Sequence, residues 1–466
     1  MLLSSPTYFV FLVAVFFLYW PLARWRALSL GVILFANYFF YARWDLTYLI
    51  LIPAASTLDF LVGLGLQSAE RNWVRRGLVT FSVLMNVGIL AFYKYMPFLL
   101  GNWAEWTGRP APEWHWALPI TLSFYVFQSL TYTIDLYRRD AKGTRSYLAH
   151  LAAVSFFPTT LAGPITRVQS LIDQMEKRKP LVAEDGGRAM FLIGMGLVKK
   201  LMIADYLAEN LVNRVFDFPN LYSGTEVLIS VYSYAFQLYY DFSGYTDIAI
   251  GSALLLGLKL PANFNQPYAS VNLTDFWRRW HITLSNWLRD YLYFSLPGLR
   301  SWKVFSYSNL VVTMIIGGLW HGASWNFVIW GALHGLGLVI VRLWQSSFSN
   351  VKGVPRVFHY VSVLLTFHFV TFAWIFFRAP DLDGALAMLD RIASLTVSFV
   401  NISVPLGVVM GVGLAGHYIP KRWYDEGLNL YVRAPFYAQA AALAALVFGL
   451  RYVVTTGAAP FIYNQF

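Results

Sequence analysis

The chain contains no cysteine. Disulfides, thiolate zinc sites and a cysteine nucleophile are therefore excluded, and an acyl-enzyme would have to form on serine, threonine or another nucleophile. Charge is the second scarcity. Only 13% of the 466 residues are Asp, Glu, Lys or Arg, against roughly 25% in soluble domains. Together with 58% hydrophobic residues, this excludes a conventional soluble enzyme and points to a polytopic, all-α membrane protein. There is no polybasic stripe with stacking aromatics, so the net charge of +11 reads as Lys and Arg gathered in cytoplasmic loops rather than as a nucleic-acid surface. A His-Glu-x-x-His zinc pair and the Gly-x-Gly-Asp of intramembrane aspartyl proteases are both missing, and no metal site is expected. Internal repeats, low-complexity tracts and a soluble domain are missing too. Residues 1–466 read as one membrane unit, with N-terminal spans in 1–116, a motif-rich core in 117–345 and C-terminal spans in 358–466.

What is present is a regular alternation of apolar runs and basic loops. Aromatics make up 18% of the chain, and many cluster near segment ends, as interfacial anchors do. The N-terminus lacks the basic start and cleavage site of a signal peptide, so residues 6–23 read as a retained first span. A span needs roughly 20 apolar residues, and short basic loops stay cytoplasmic. Span 6–23 ends at Arg24 and Arg26, which puts the N-terminus outside. Spans 27–42, 46–66, 77–100 and 117–137 keep the same orientation, exiting at Arg43 and Asp45 and returning to Arg71, Arg75 and Arg76, then to Arg138 and Arg139. Residues 148–166 end in "FFPTTLAGPITR" with basic residues on both flanks, so they read as re-entrant. Segment 190–215 is expected to cross outward, with Lys199 and Lys200 facing protein or snorkelling, and 226–257 to return. Residues 259–303 are expected on the cytoplasmic side, carrying Lys259, Arg278, Arg279, Arg289, Arg300 and Lys303. Spans are expected at 358–377, 403–419 and 434–455, with 381–400 interfacial.

From Val304 to Val341 there is no Lys, Arg, Asp or Glu. A straight helix of that length would be about 57 Å, nearly two crossings. Basic residues flank both ends, so the run is expected to be a hairpin turning at His321–Gly322. His321 is set apart from the other histidines by Gly317, Gly318 and Gly322, which permit a bend and close approach. A neutral imidazole there can take a proton from a hydroxyl. The plainer reading is a buried histidine satisfied by a carbonyl, but intramembrane ionisable groups default to function. His334 is read as packing or functional, His368 as a structural hydrogen bond, and His115, His150, His359 and His417 as interfacial.

Two further stretches carry polar chemistry. On a helical projection of "NLTDFWRRWHITLSNWLRDYLYF", Trp277, Trp280, Leu284, Trp287, Leu288 and Tyr291 form one apolar stripe. Arg278, Asn286 and Arg289 oppose it and His281 lies on its edge, which predicts an amphipathic helix at the cytoplasmic interface. It is either an anchor or a basic face that meets an anionic donor or carrier. "AFQLYYDFSGYTDIAIG" places Asp241 and Asp247 in an apolar segment, either lining a cation path or hydrogen-bonded structurally. The "DLD" at 381–383 is expected to cap a surface helix.

Taken in order, "LPITLSFYVFQSLTYTIDLYR", "FPTTLAGPI", "QLYYDFSGYTDIAIG", "NFNQPY", "FWRRWHITLSNWLRDYLY" and "GGLWHGASWNFVIWGALHG" resemble the membrane-bound O-acyltransferase family. The likeness is greatest to its bacterial branch of alginate and cellulose O-acetylation proteins, more than to the D-alanyl transferases of teichoic acid synthesis. It implies a ring of about 10–12 transmembrane helices, with re-entrant and interfacial helices around a central catalytic cavity. His321 matches the family's principal catalytic histidine and His281 a supporting one. The donor implied is a cytosolic thioester, acetyl-CoA or an acylated carrier protein, used as substrate and not as a bound cofactor. The acceptor is extracytoplasmic, the membrane is the cell inner membrane, and the implied partners are periplasmic acetyltransferase subunits. Within that mechanism Trp320 and Asn326 would shape the site or donate to the oxyanion, Arg278 and Arg279 would attract donor phosphates, and Asp241 is a further candidate for donor binding. The rival reading is a transporter or polymer-export component with Asp241, Asp247 and His321 as a proton relay.

Overall fold

The computed structural model describes residues 1–43, 48–116, 118–119, 121–177, 179–297, 303–347 and 356–453. Asp45, Arg300 and the last two residues of the expected 434–455 span lie outside the described residues. Every regular element among them is helical. Five helices are long and apolar enough to cross a membrane: Leu49–Ser68, Asn72–Thr107, Val304–His321, Trp325–Ser347 and Val357–Arg378. The pair Lys421–Arg433 and Phe436–Leu450, bent by 119°, makes up to six. Pro6–Leu22, Arg26–Ala42 and Val404–His417 are apolar but shorter. The resemblance implied ten to twelve spans; among the described residues five to six helices qualify, and shorter or more polar helices do not. Gly224–Leu255 is one of these, with Ser230, Ser233, Gln237, Asp241, Ser243 and Thr246 buried along it. Val10, Phe35 and Ile50 are about 70% exposed, as befits side chains that face lipid and not water. The protein is an all-α, polytopic membrane protein.

The chain divides into two compact units, Met1–Ile193 with Thr246–Pro261, and Gly194–Tyr245 with Ala262–Phe466. In the first, the segment expected to be re-entrant is broken as its prolines require. A helix at Tyr147–Val154 gives way to a single turn at Phe157–Thr160, and residues 151–166 are buried. Broken backbone in such a place needs partners. Asn37 supplies them, donating to the Ala152 carbonyl at 3.1 Å and accepting from the Phe157 N–H at 2.9 Å. Gln128 donates to the Ala153 carbonyl at 2.9 Å. Arg75 is buried and donates to the carbonyls of Leu66, Leu136 and Tyr137, at the C-terminal ends of two helices. His150, read as interfacial, is fully buried against the Ser56 carbonyl at 3.2 Å, which corrects that expectation.

In the second unit the apolar run forms the expected hairpin, Lys303–His321 and Trp325–Ser347, with the turn at residues 322–324. A Cβ at Gly318 would collide with the Phe327 carbonyl oxygen, and one at Gly331 with that of Met314. These glycines let the two arms touch backbone to backbone, as small residues do between membrane helices. Lys200 faces protein, held between Asp205 and Asp241 at 2.7 Å each. His417 is buried rather than interfacial and accepts the Tyr268 N–H at 3.1 Å. His368 is exposed and bonded to the Leu364 carbonyl at 2.8 Å, in line with its structural reading. Asp381 caps Leu382–Ala393 by accepting from the Gly384 N–H at 2.7 Å, as "DLD" suggested.

Candidate active site

His321 is the last residue of the first hairpin arm and is 5% exposed. Its imidazole is walled by rings. Trp320 lies at 4.9 Å between centroids, Trp330 at 5.2 Å and Phe377 at 5.1 Å, all at steep angles. Trp330 stacks on Trp374 at 5.8 Å. The result is an aromatic chamber with little exposed surface, where electrostatic interactions are strong.

The segment 272–294 is not the single helix that its periodicity predicts. It consists of Leu273–Arg279, Ile282–Trp287 and a π turn at Leu288–Leu292, with His281 at the break in left-handed backbone, φ 41° and ψ 54°. That conformation costs a bulky residue about 1–3 kcal/mol. Residue 263 offsets the cost. The side-chain oxygen of Asn263 accepts from the Thr283 N–H and Oγ1 at 3.1 and 3.0 Å and faces His281 Nδ1 at 3.1 Å. Its main-chain oxygen accepts from the Ile282 N–H at 2.9 Å. A main-chain N–H can only donate, so the shared side-chain atom is the carbonyl oxygen and His281 Nδ1 carries the hydrogen. The lone pair is then on Nε2. His281 lies outside the candidate spans, and burial holds its pKa at about 3, so the ring is neutral at physiological pH.

The apolar stripe survives the break. Trp277, Trp280, Leu284, Trp287, Leu288 and Tyr291 are all buried, while Arg278, Asn286 and Arg289 are exposed. His281 and His321 meet the same indole: Trp320 is 6.2 Å from the first ring and 4.9 Å from the second. Phe242 packs on His281 at 4.6 Å.

Below the hairpin apex lies a cleft of about 1410 Å³. Arg278, Arg289 and Arg342 line it, with apolar walls from Trp277, Leu288 and Met314, and no acid among its lining residues. Arg342 also donates to Tyr293 Oη and Ser306 Oγ at 3.2 and 2.8 Å. Arg289 is engaged by Asp290 at 2.8 Å, as Arg279 is by Asp275 at 2.9 Å. Leu288 reaches the chamber side, lying against Gly317, one turn before His321. Trp277 meets Trp330 at 5.8 Å.

The remaining candidates are placed differently. Asn326 is buried, and its Nδ2 donates to the Ala379 carbonyl at 3.1 Å, so its unpaired atom is the acceptor Oδ1. Asp241 is ion-paired with Lys200, which Asp205 shares. Sequence reasoning missed Asn263, Trp330, Phe377 and Arg342 as members of the site. Asn263 opens "NFNQPY" and Trp330 lies in "GGLWHGASWNFVIWGALHG", so both stood in stretches already singled out, whereas Phe377 and Arg342 carry no such signal.

Two buried histidines share one tryptophan, and one of them closes a glycine-packed hairpin above a cleft lined by arginines. The chain belongs to the membrane-bound O-acyltransferase family, whose pattern matches residues 79–379. It is an O-acyltransferase. Among its relatives is the probable alginate O-acetylase AlgI of Pseudomonas aeruginosa, 36% identical over 456 residues that cover 96% of this chain and 85% of that protein. The peptidoglycan O-acetyltransferase of Helicobacter pylori is 35% identical over 400 residues, 79% of this chain and 74% of that protein. The teichoic acid D-alanyltransferase of Bacillus subtilis is 30% identical over 239 residues, 48% of this chain and 59% of that protein.

Proposed function

We propose that this acyltransferase moves an acetyl group from a cytosolic thioester, acetyl-CoA or an acylated carrier protein, to an extracytoplasmic hydroxyl. In this reading it is the membrane component of O-acetylation of an exopolysaccharide such as alginate or cellulose. It works in the inner membrane, N-terminus outside, beside periplasmic acetyltransferase subunits. The observation that carries the reading is His321 at the hairpin apex, enclosed by Trp320, Trp330 and Phe377. His321 takes the proton of the acceptor hydroxyl as its oxygen attacks the thioester carbonyl carbon. The C–S bond then breaks, and the proton passes to the departing thiolate. His281 supports the reaction by holding Trp320, whose indole shapes the acceptor side. Asn326 Oδ1 suits the hydrogen of an acceptor hydroxyl, and Arg278, Arg289 and Arg342 suit the phosphates of the donor.

Pairing of Asp241 with Lys200 favours the enzyme over a relay of Asp241, Asp247 and His321 in a transporter. The deciding experiment is His321→Ala in a strain lacking its own copy. Ester-linked acetate on the surface polymer should fall at least about 100-fold, with polymer export unchanged. Normal acetylation would remove the enzyme reading, and lost export with acetate intact would favour the transporter.

A further inference from the structure

The second hairpin arm carries two buried N–H donors with no acceptor among the described residues. Trp330 is 1% exposed, and its indole Nε1 has no hydrogen-bond partner. His334, one turn further along, is fully buried. Its Nδ1 accepts the Trp277 indole N–H at 3.3 Å. An imidazole that accepts at Nδ1 is neutral and must carry its hydrogen on Nε2, and that atom has no partner either. Trp330 stands 5.2 Å from the His321 ring and 4.8 Å from that of His334. An unpaired buried donor costs about 1–3 kcal/mol, and here two such donors stand together beside the one histidine at the hairpin apex. Buried polar groups are nearly always paired, so adjacent exceptions point to an acceptor that arrives with a ligand.

We propose that Trp330 Nε1–H and His334 Nε2–H form a carbonyl-binding subsite for the acyl donor. The inference rests on the acyltransferase reading of His321. The two N–H groups hold the thioester oxygen. When the acceptor oxygen bonds to the carbonyl carbon, the C=O pair moves onto that oxygen and the donors stabilise the charge. As the C–S bond breaks, the pair returns to re-form the carbonyl. Donors fixed in a buried aromatic setting need no reorganisation at that moment, which is where such groups are most effective. Trp277 donates to His334 and also lines the arginine cleft, so one residue touches both the cleft and the subsite.

The test uses membrane vesicles from cells expressing the full chain, fed labelled acetyl-CoA, with ester-linked label counted in the polymer. Trp330→Phe removes the indole donor and should lower kcat about 100- to 1000-fold with KM for the donor within twofold. His334→Leu should also lower kcat. His334→Gln, whose amide can both accept from Trp277 and donate, should recover most of the rate. Thermal melts in detergent establish that each variant folds. Unchanged kcat in Trp330→Phe, or equal losses in His334→Leu and His334→Gln, would overturn the subsite. Activity surviving in a parallel His321→Ala preparation would overturn the acyltransferase reading instead.

Discussion

At the scale of single residues, the histidine at the apex was legible and its counterpart only half so. The glycines beside His321 and the uncharged run around it suffice to single it out. His281 was visible as the odd residue on the edge of an apolar stripe, but not its left-handed backbone, because the atom that compels it belongs to Asn263, eighteen positions earlier. Its titration gives a prediction with a definite sign. Burial lowers the folded pKa of His281 to about 3, below the unfolded value near 6.5. The unfolded chain therefore takes up a proton that the folded one refuses, and stability is lost as pH falls below about 6.5. The melting temperature in detergent should drop between pH 7 and pH 5, and His281→Asn should flatten that slope. An identical slope in the variant would show that His281 does not contribute. His150 and His417 were misjudged for a related reason. Nearness to a segment end says nothing of which neighbour folds over it, and in both cases a buried polar partner waits there.

At the scale of elements, the hairpin could be read from charge alone, and the break in the 272–294 helix could not. Periodicity reports which face is apolar, and that face is buried throughout. It is blind to a kink that leaves the stripe intact. The glycines of the hairpin were read as making room around the imidazole; their larger effect is to join the arms. Gly331→Ala should therefore lower the melting temperature and abolish transfer, since the new methyl meets the Met314 main-chain oxygen, which cannot swing away. Gly407→Ala, with nothing within 4 Å of the added carbon, should be neutral or gain up to about 1 kcal/mol. Equal melting temperatures for the two variants would refute close contact of the arms.

At the scale of the whole molecule, the fold class and the membrane setting follow from composition. The number of full crossings does not, because polar-lined helices such as Gly224–Leu255 are too polar to read as spans yet are long enough to be one. Orientation rests on the basic loops alone, and the absence of native cysteine makes it directly testable. In intact spheroplasts, Glu113→Cys should react with a membrane-impermeant maleimide and Lys142→Cys should react only after lysis. The reverse pattern would invert the topology and put the N-terminus inside.

The first hairpin arm also acts as a ruler. Ser306 lines the arginine cleft near one end of the arm, and His321 closes the other. Fifteen residues of helix separate them, about 22 Å. Under the proposed function, a donor gripped by its phosphates beside Ser306 and Arg342 would have to carry its thioester at the tip of an arm of comparable length. Short acyl donors such as acetyl phosphate can occupy one end or the other, but never both at once.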